Sequence, residues 1–175
     1  MNLVLIGYRC SGKTSVGELL AGRLGLDFVD LDRLLEEEAG RPIQDLVAAE
    51  GWDGFRAREG RLIAAACRRG GIVIATGGGA VTRGENVANL KRSGFVVWLK
   101  GNAEVLRSRM AGEERSGRVR PALSGPDPLT EIEEVLAARN PLYQGAADLV
   151  VDTTARSLHE VAEQILRNLP PGFSV

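Results

Sequence analysis

The stretch Gly7-Tyr8-Arg9-Cys10-Ser11-Gly12-Lys13-Thr14-Ser15 follows directly on the apolar run at residues 3–6. Its Gly-x-x-x-x-Gly-Lys-Thr spacing is that of a phosphate-binding loop, which lies between a buried strand and a helix. In such a loop, backbone N–H groups and the helix N-terminus bind phosphate oxygens. The pattern predicts a nucleotide site in which Lys13 contacts the β- and γ-phosphates and the Thr14 hydroxyl binds Mg²⁺.

The rest of this loop is expected to act through its main chain. The residues whose backbone would surround the phosphates are Gly7, Cys10, Ser11, Gly12 and Ser15. Switch proteins, motors and small-molecule kinases all contain such a loop. The molecule that receives the phosphate must therefore be inferred from other residues.

The composition excludes some classes of partner. The chain has 175 residues, 44% of them apolar, and a formal net charge of −1. No overall cationic field attracts nucleic acid or an anionic membrane. The length fits one domain spanning residues 1–175. Arginine supplies almost all the positive charge, and its planar guanidinium group suits carboxylates and phosphates.

The cysteines and the apolar runs indicate where the protein works. Cys10 and Cys67 lack metal-ligand spacing and are too few for a disulfide framework, which favours a reducing compartment. The chain begins without a basic leader, and no apolar run approaches the ~20 residues of a membrane span. We expect a monomeric, cytoplasmic protein.

Short apolar runs alternate with longer helical segments along the chain. The runs cover residues 3–6, 28–31, 72–76, 95–99 and 149–151. Such runs are typical of strands buried on both faces of a parallel sheet. The pattern predicts a three-layer α/β/α fold of the P-loop NTPase type, with a central five-stranded parallel sheet.

Helix boundaries are indicated by capping and breaking residues. Pro42 is expected to be the first residue of a helix that ends at Gly51, and a further helix should run over residues 52–69. Asn102 should cap a helix through Met110, and Ser157 begins a capping box for the last helix.

One segment departs from this regular alternation. Residues 111–126 are polar, rich in Gly and Pro, and contain Arg115, Arg118 and Arg120. A segment with so few apolar side chains to bury is predicted to be a mobile lid. Residues 170–175 are expected to form a terminal tail.

Two acidic residues follow the second predicted strand, in the sequence Asp30-Leu31-Asp32. Alternation along a strand would point both carboxylates to one side, at the sheet edge where α/β proteins bind ligands. The two acids could then serve a metal and an acceptor separately. The alternative is that Asp32 only caps the following helix.

Glycines and arginines extend this second site. The sequence Thr76-Gly77-Gly78-Gly79 follows the third predicted strand, so its main chain can approach a ligand closely. Arg56 and Arg139 could face the same crevice. Taken singly, each of these arginines would more often be a solvated surface residue.

Six motifs in this order resemble the shikimate kinase family over nearly the whole chain. They are the phosphate loop, Asp30-x-Asp32, Phe55-Arg56-x-x-Glu59, Gly77-Gly78-Gly79-Ala80, Arg120-Pro121-x-Leu123 and Arg139-x-Pro141-Leu142-Tyr143. The resemblance implies phosphorylation of the 3-hydroxyl of shikimate, with ATP as co-substrate and Mg²⁺ as the metal, in the route to chorismate and the aromatic amino acids.

The resemblance also implies roles at the nucleotide end of the site. Asp30 would bind Mg²⁺ through water, beside Thr14. Lys13 and Arg120 would supply positive charge at the phosphates, Arg120 by closing over them from the lid. Arg109 would lie against the adenine.

At the acceptor end, Asp32 would hold the hydroxyl that is phosphorylated. Arg56 and Arg139 would bind the shikimate carboxylate. The turn Gly77-Gly78-Gly79 would contact the substrate, with its last two residues at the ring hydroxyls.

Other functions remain open at this point. A gluconate kinase or a nucleoside monophosphate kinase shares the loop and the lid, but does not readily explain three glycines with two arginines. A non-catalytic nucleotide-binding switch is the alternative from another class, although the sequence lacks the Asn-Lys-x-Asp motif of guanine-specific switches. An inactive kinase is disfavoured because Lys13, Asp32 and Arg120 are all present.

Overall fold

The computed structural model describes residues 1–115 and 129–173. At its centre is a five-stranded, all-parallel sheet in the order β2-β3-β1-β4-β5. The strands are β1 Asn2–Ile6, β2 Asp27–Asp30, β3 Ile72–Ala75, β4 Gly94–Lys100 and β5 Leu149–Asp152. The predicted α/β class and five-stranded parallel sheet are confirmed.

Helices connect the strands and cover the sheet. Those described are α1 Lys13–Leu24, α2 Leu31–Ala39, α3 Ile43–Cys67, α4 Gly84–Ser93, α5 Ala103–Arg115, α6 Ile132–Ala146 and α7 Leu158–Arg167, with a 3₁₀ turn at Ala80–Thr82. The predicted capping box at Ser157 and Glu160 is present. Asn102 also caps α5 as predicted, since its side-chain oxygen accepts the Val105 N–H at 2.8 Å.

Both faces of the sheet are buried, which is why its strands are apolar throughout. In β1, Leu3 and Leu5 belong to one hydrophobic cluster, while Val4 and Ile6 belong to the other. Side chains of α1 and α7 complete the first cluster, and those of α2 and α3 complete the second. Each fully buried aliphatic side chain stabilises the fold by roughly 1.5–3 kcal/mol. The two clusters account for the three-layer architecture.

The strand order indicates where the ligand crevice lies in the sheet. β1 lies between β3 and β4, and the chain builds the sheet outward on both sides of it. Ligands of open α/β sheets bind at the carboxyl ends of the strands, where the order reverses in this way. The loop after β1 begins at that point.

Two helix boundaries differ from the prediction. Pro42 precedes α3 and is not its first residue, and α3 is broken at Gly51, where φ is 70° and ψ is 175°. The break confirms the predicted boundary there. α5 does not end near Met110 but continues to Arg115, because Leu106 and Met110 pack into a third hydrophobic cluster with α6.

The predicted lid and tail are described only in part. The first five lid residues, 111–115, are the end of α5 and not part of a separate segment. The rest of the lid, with Arg118 and Arg120, lies outside the described residues. In the predicted tail, Phe173 packs against the cluster formed with α1 and α7.

Candidate active site

The phosphate loop connects β1 to α1 through a compact turn. Gly7 has φ 145°, and a Cβ there would lie 2.5 Å from the Leu99 carbonyl oxygen, so the close contact requires glycine. The Lys13 ammonium group donates to the carbonyl oxygens of Gly7 at 2.9 Å and Tyr8 at 2.8 Å. The lysine side chain therefore lies across the loop. There it would bind phosphate together with the loop amides.

Two residues inside the loop, Cys10 and Ser11, are constrained by backbone conformation and by burial respectively. Cys10 has φ 58°, the only positive φ of a non-glycine residue among those described. Ser11 is 1% exposed, and its hydroxyl has no hydrogen-bond partner within the described residues. Both residues contribute mainly through the main chain that they shape.

Thr14 and Asp30 meet at the carboxyl ends of β1 and β2. The Thr14 hydroxyl donates to Asp30 Oδ2 at 2.6 Å. Asp30 Oδ1 accepts the main-chain N–H groups of Asp32 at 3.1 Å and Arg33 at 3.3 Å, so Asp30 caps α2. One carboxylate therefore begins a helix and holds the threonine beside the phosphate loop.

The predicted geometry of Asp30 and Asp32 is wrong. Strand alternation does not apply because β2 ends at Asp30 and Asp32 lies in the first turn of α2. The alternative, in which Asp32 is the cap, is also wrong since Asp30 performs that role. Both residues still line the same cavity.

The turn after β3 is crowded by charged side chains. A Cβ at Gly77 would lie 2.5 Å from Glu59 Oε1 and 2.8 Å from Asp32 Oδ1. A Cβ at Gly79 would overlap the guanidinium group of Arg56. A side chain at either glycine would displace these charged groups, and the turn brings α2 and α3 together at one place.

Arg56 and Glu59 form a largely buried ion pair on α3. Arg56 Nη1 lies 2.7 Å from Glu59 Oε2, and their side chains are 13% and 2% exposed. Burial raises the pKa of Glu59, an effect that the neighbouring Arg56 opposes. The Arg56 guanidinium also lies 5.3 Å from the centre of the Trp52 ring and 5.1 Å from that of Phe55. These contacts fix the arginine in one orientation.

Arg139 reaches the same turn from α6. Its Nη1 donates to the Gly78 carbonyl oxygen at 3.1 Å. The Tyr143 hydroxyl, one helical turn further on, donates to the same oxygen. The two arginines thus lie on either side of the glycine turn, although they come from helices far apart in the sequence.

Arg109 lies at the other end of the phosphate loop. Its guanidinium group donates to the Cys10 carbonyl oxygen at 3.4 Å and to the Thr153 carbonyl oxygen at 2.8 Å. The Thr153 hydroxyl also accepts from Arg109, at 3.2 Å. Arg109 therefore ties α5 to the loop and to the end of β5.

One cavity of about 520 Å³ joins these groups. Of the residues predicted from the sequence, it is lined by Cys10, Ser11, Gly12, Lys13, Thr14, Ser15, Asp30, Asp32, Arg56, Gly77, Gly78, Gly79, Arg109 and Arg139. Gly7, the first residue of the loop, does not line the cavity. Arg120 lies outside the described residues.

Other lining residues had no role in the sequence analysis. Glu59 could have been found, because Arg56 and Glu59 have the i,i+3 spacing of a helical ion pair. Thr153, Arg156 and Leu158 also line the cavity. No local pattern marks these three, which reach the site because β5 pairs with β4.

Known proteins resemble this chain over nearly its whole length. The family model described as shikimate kinase matches residues 9–170. The shikimate kinase of Symbiobacterium thermophilum is 50% identical over 169 residues, covering 97% of this chain and 96% of that protein. That of Pseudomonas savastanoi pv. phaseolicola is 42% identical over 168 residues, covering 96% and 95%.

Solved structures give the same result. Shikimate kinase from Acinetobacter baumannii in complex with shikimate has a TM-score of 0.87 at 34% identity, covering 95% of this chain and 90% of that one. A gluconokinase from Sinorhizobium meliloti 1021 has a TM-score of 0.51 at 21% identity, covering 95% and 89%, which shows a shared fold alone. The range matched by the family model and the coverage of the relatives extend over nearly the whole chain, and the chain belongs to the shikimate kinase family.

Proposed function

We propose that this protein transfers the γ-phosphoryl group of ATP to the 3-hydroxyl of shikimate, giving shikimate 3-phosphate and ADP. One observation carries the proposal: a phosphate loop and two arginines beside a glycine turn line the same cavity. The loop suits the nucleotide, and the arginines suit an acceptor that carries a carboxylate.

At the nucleotide end, the loop N–H groups and Lys13 bind the phosphates. In the ligand-free protein the Lys13 ammonium donates to two loop carbonyls, and in the complex it also reaches the β- and γ-phosphates. Arg109 lies against the adenine and Arg120 approaches the phosphates. Arginine at both places suits this end of the cavity, because guanidinium groups bind phosphate and stack on aromatic rings.

The residues beside the loop fit a magnesium ion. Thr14 and Asp30 present hard oxygen atoms 2.6 Å apart, and Mg²⁺ is commonly held by one or two such groups together with water and substrate phosphates. When bound, Mg²⁺ neutralises charge that develops on the β- and γ-phosphates. Thr14 is proposed as a direct ligand, and Asp30 as a ligand through water.

At the acceptor end, Arg56 and Arg139 bind the shikimate carboxylate. Glu59 holds Arg56 by the ion pair at 2.7 Å, so the guanidinium group is oriented before the substrate arrives. Main-chain groups of Gly77, Gly78 and Gly79 contact the ring and its hydroxyls. Little reorganisation is then needed on binding, which favours affinity.

Asp32 orients the reacting hydroxyl and accepts its proton. The hydroxyl oxygen forms a bond to the γ-phosphorus as the bond from that phosphorus to the bridging oxygen of ADP breaks, and ADP leaves with the electron pair. Lys13 and Arg120 stabilise the charge on the transferring group. Catalysis here consists mainly of positioning and electrostatic stabilisation.

The test is ADP release by the purified protein with ATP and Mg²⁺. We expect release to depend on shikimate, to be absent with gluconate or nucleoside monophosphates, and to stop on chelation of the metal. ADP release that is indifferent to shikimate would refute the proposal and favour a nucleotide-binding switch. Release that depends on gluconate instead would assign a different acceptor.

We also propose that the enzyme acts as a monomer, since this chain itself supplies groups suited to both the nucleotide and the acceptor in one cavity. Light scattering during size-exclusion chromatography, with and without shikimate, measures the molar mass and tests the monomer proposal. Within residues 1–115 and 129–173, no helix is long and apolar enough to cross a membrane.

A further inference from the structure

Tyr143 lies under the acceptor end of the cavity but does not line it. The residue is 1% exposed. Its ring stacks on Trp98 with ring centres 5.6 Å apart and an interplanar angle of 26°. Burial raises the pKa of Tyr143 to about 12, so the hydroxyl keeps its proton at neutral pH and remains a donor.

The acceptor of that hydrogen bond is shared with Arg139. The Gly78 carbonyl oxygen accepts both the Tyr143 hydroxyl and Arg139 Nη1, the latter at 3.1 Å. A carbonyl oxygen has two lone pairs, so both bonds can exist together. One donor of Arg139 is therefore used by the main chain.

A bidentate contact to a carboxylate uses two N–H groups with parallel geometry. Arginine has five N–H donors, so Arg139 can donate to the Gly78 carbonyl and bind a carboxylate at the same time. The position of that carbonyl therefore sets the position of the guanidinium group, and the Tyr143 hydroxyl is the second donor that holds the carbonyl in place.

We infer that Tyr143 is a positioning residue for the acceptor: its hydroxyl holds the Gly78 carbonyl, which in turn anchors Arg139 where it binds the substrate carboxylate. This inference rests on the proposed function. The glycine turn also lies close to the phosphate loop, since a Cβ at Gly78 would lie 3.3 Å from the main-chain nitrogen of Arg9.

The test is Tyr143→Phe, which removes the hydroxyl and keeps the ring. We expect the KM for shikimate to rise about 5- to 50-fold, as for a partner lost from a partly buried carbonyl, while the KM for ATP changes less than twofold. A purely structural role would not separate the two KM values. Equal changes in both, or no change in either, would overturn the inference.

Trp98→Phe is the control for packing, since it disturbs the ring stack and retains the hydroxyl. We expect a smaller rise in the KM for shikimate than in Tyr143→Phe. A rise of the same size would assign the effect to the ring contact and refute a role for the hydroxyl.

A double variant tests whether Tyr143 acts through Arg139. In an Arg139→Ala background, adding Tyr143→Phe should raise the KM for shikimate by a smaller factor than it does in the wild type, since no arginine is left to position. An equal or larger factor would contradict the inference. Failure of the proposed function is distinguishable, because the wild-type protein would then show no shikimate-dependent ADP release at all.

Discussion

The two ends of the cavity are built in different ways. The phosphate end is made mainly of main chain from one short segment, residues 7–15, and Lys13 is held by carbonyls of that same segment. The acceptor end is made mainly of side chains on α2, α3 and α6, gathered around the turn after β3. Main-chain sites tolerate many side chains, whereas a site made of side chains depends on each of them.

The electrostatics of the two ends also differ. At the acceptor end, Glu59 is 2% exposed and paired with Arg56, and the nearby charge of Asp32 adds to the burial that raises the pKa of Glu59. Removing one member of such a buried pair leaves the other uncompensated, which is strongly destabilising. Single substitutions should therefore have larger and more selective effects at the acceptor end.

The largest effect is expected for Asp32→Asn, which keeps the size of the side chain but removes the proton acceptor. We expect kcat to fall about 10²- to 10⁴-fold, as for loss of a general base, with ATP binding retained. Steady-state turnover measures kcat, and titration with ATP measures nucleotide binding. Asp53→Asn on the exposed side of α3 is the matched control, and near-normal turnover in Asp32→Asn would remove Asp32 from the chemistry.

A second test separates the two ends by substrate. Arg56→Ala and Arg139→Ala should each raise the KM for shikimate at least about tenfold, since charge-assisted hydrogen bonds contribute roughly 1.5–3 kcal/mol. The KM for ATP should change little. Arg61→Ala, at an exposed site on α3, is the control. If ATP binding suffered most, both arginines would belong to the nucleotide end.

A smaller effect is expected where a side chain does support the nucleotide end. The Thr153 hydroxyl accepts from Arg109 at 3.2 Å and donates to the Lys100 carbonyl at 3.1 Å. Thr153→Val loses both bonds, and we expect the KM for ATP to rise about 2- to 10-fold, with the KM for shikimate unaffected.

Thr154→Val is the matched control: it makes the same change at the next residue, where the hydroxyl accepts a long bond, 3.3 Å, from the Asn102 N–H and interacts with Asp152. Steady-state kinetics of both variants, with ATP and shikimate varied in turn, measure the two KM values. A rise in the KM for shikimate in Thr153→Val would show that the two ends are not independent.

The last effect concerns stability at high pH and not activity. The pKa of Tyr143 is raised from 10 to about 12 in the folded protein, so between these values the unfolded chain loses its proton first. The unfolded state binds fewer protons there, and the free energy of unfolding falls as pH rises. One pKa unit corresponds to about 1.4 kcal/mol, so the loss reaches roughly 2–3 kcal/mol by pH 12.

Tyr143→Phe lacks this ionisation and should lose less stability between pH 9 and pH 11. Urea unfolding at the two pH values measures the difference, and Tyr8, whose pKa is also raised by burial, is common to both proteins. Equal losses in wild type and variant would show that Tyr143 ionises alike in the folded and unfolded chains.

The contrast between the two ends explains what the sequence could predict. The phosphate loop and the strands are contiguous patterns, so their places followed from spacing and hydrophobicity. Asp30 and Asp32 were assigned to the right crevice by the wrong geometry, because the start of α2 is set by a hydrogen bond that spacing does not reveal. Thr153 was missed because only the pairing of β5 with β4 brings it beside Arg109.

The left-handed backbone of Cys10 limits how the loop can vary. A non-glycine residue in this conformation is strained by roughly 1–2 kcal/mol, whatever its side chain touches. In a library randomised at residue 10, glycine and asparagine should be recovered most often and valine and isoleucine least. Selection there would record backbone shape and not thiol chemistry, so residue 10 should accept any side chain that tolerates a left-handed backbone.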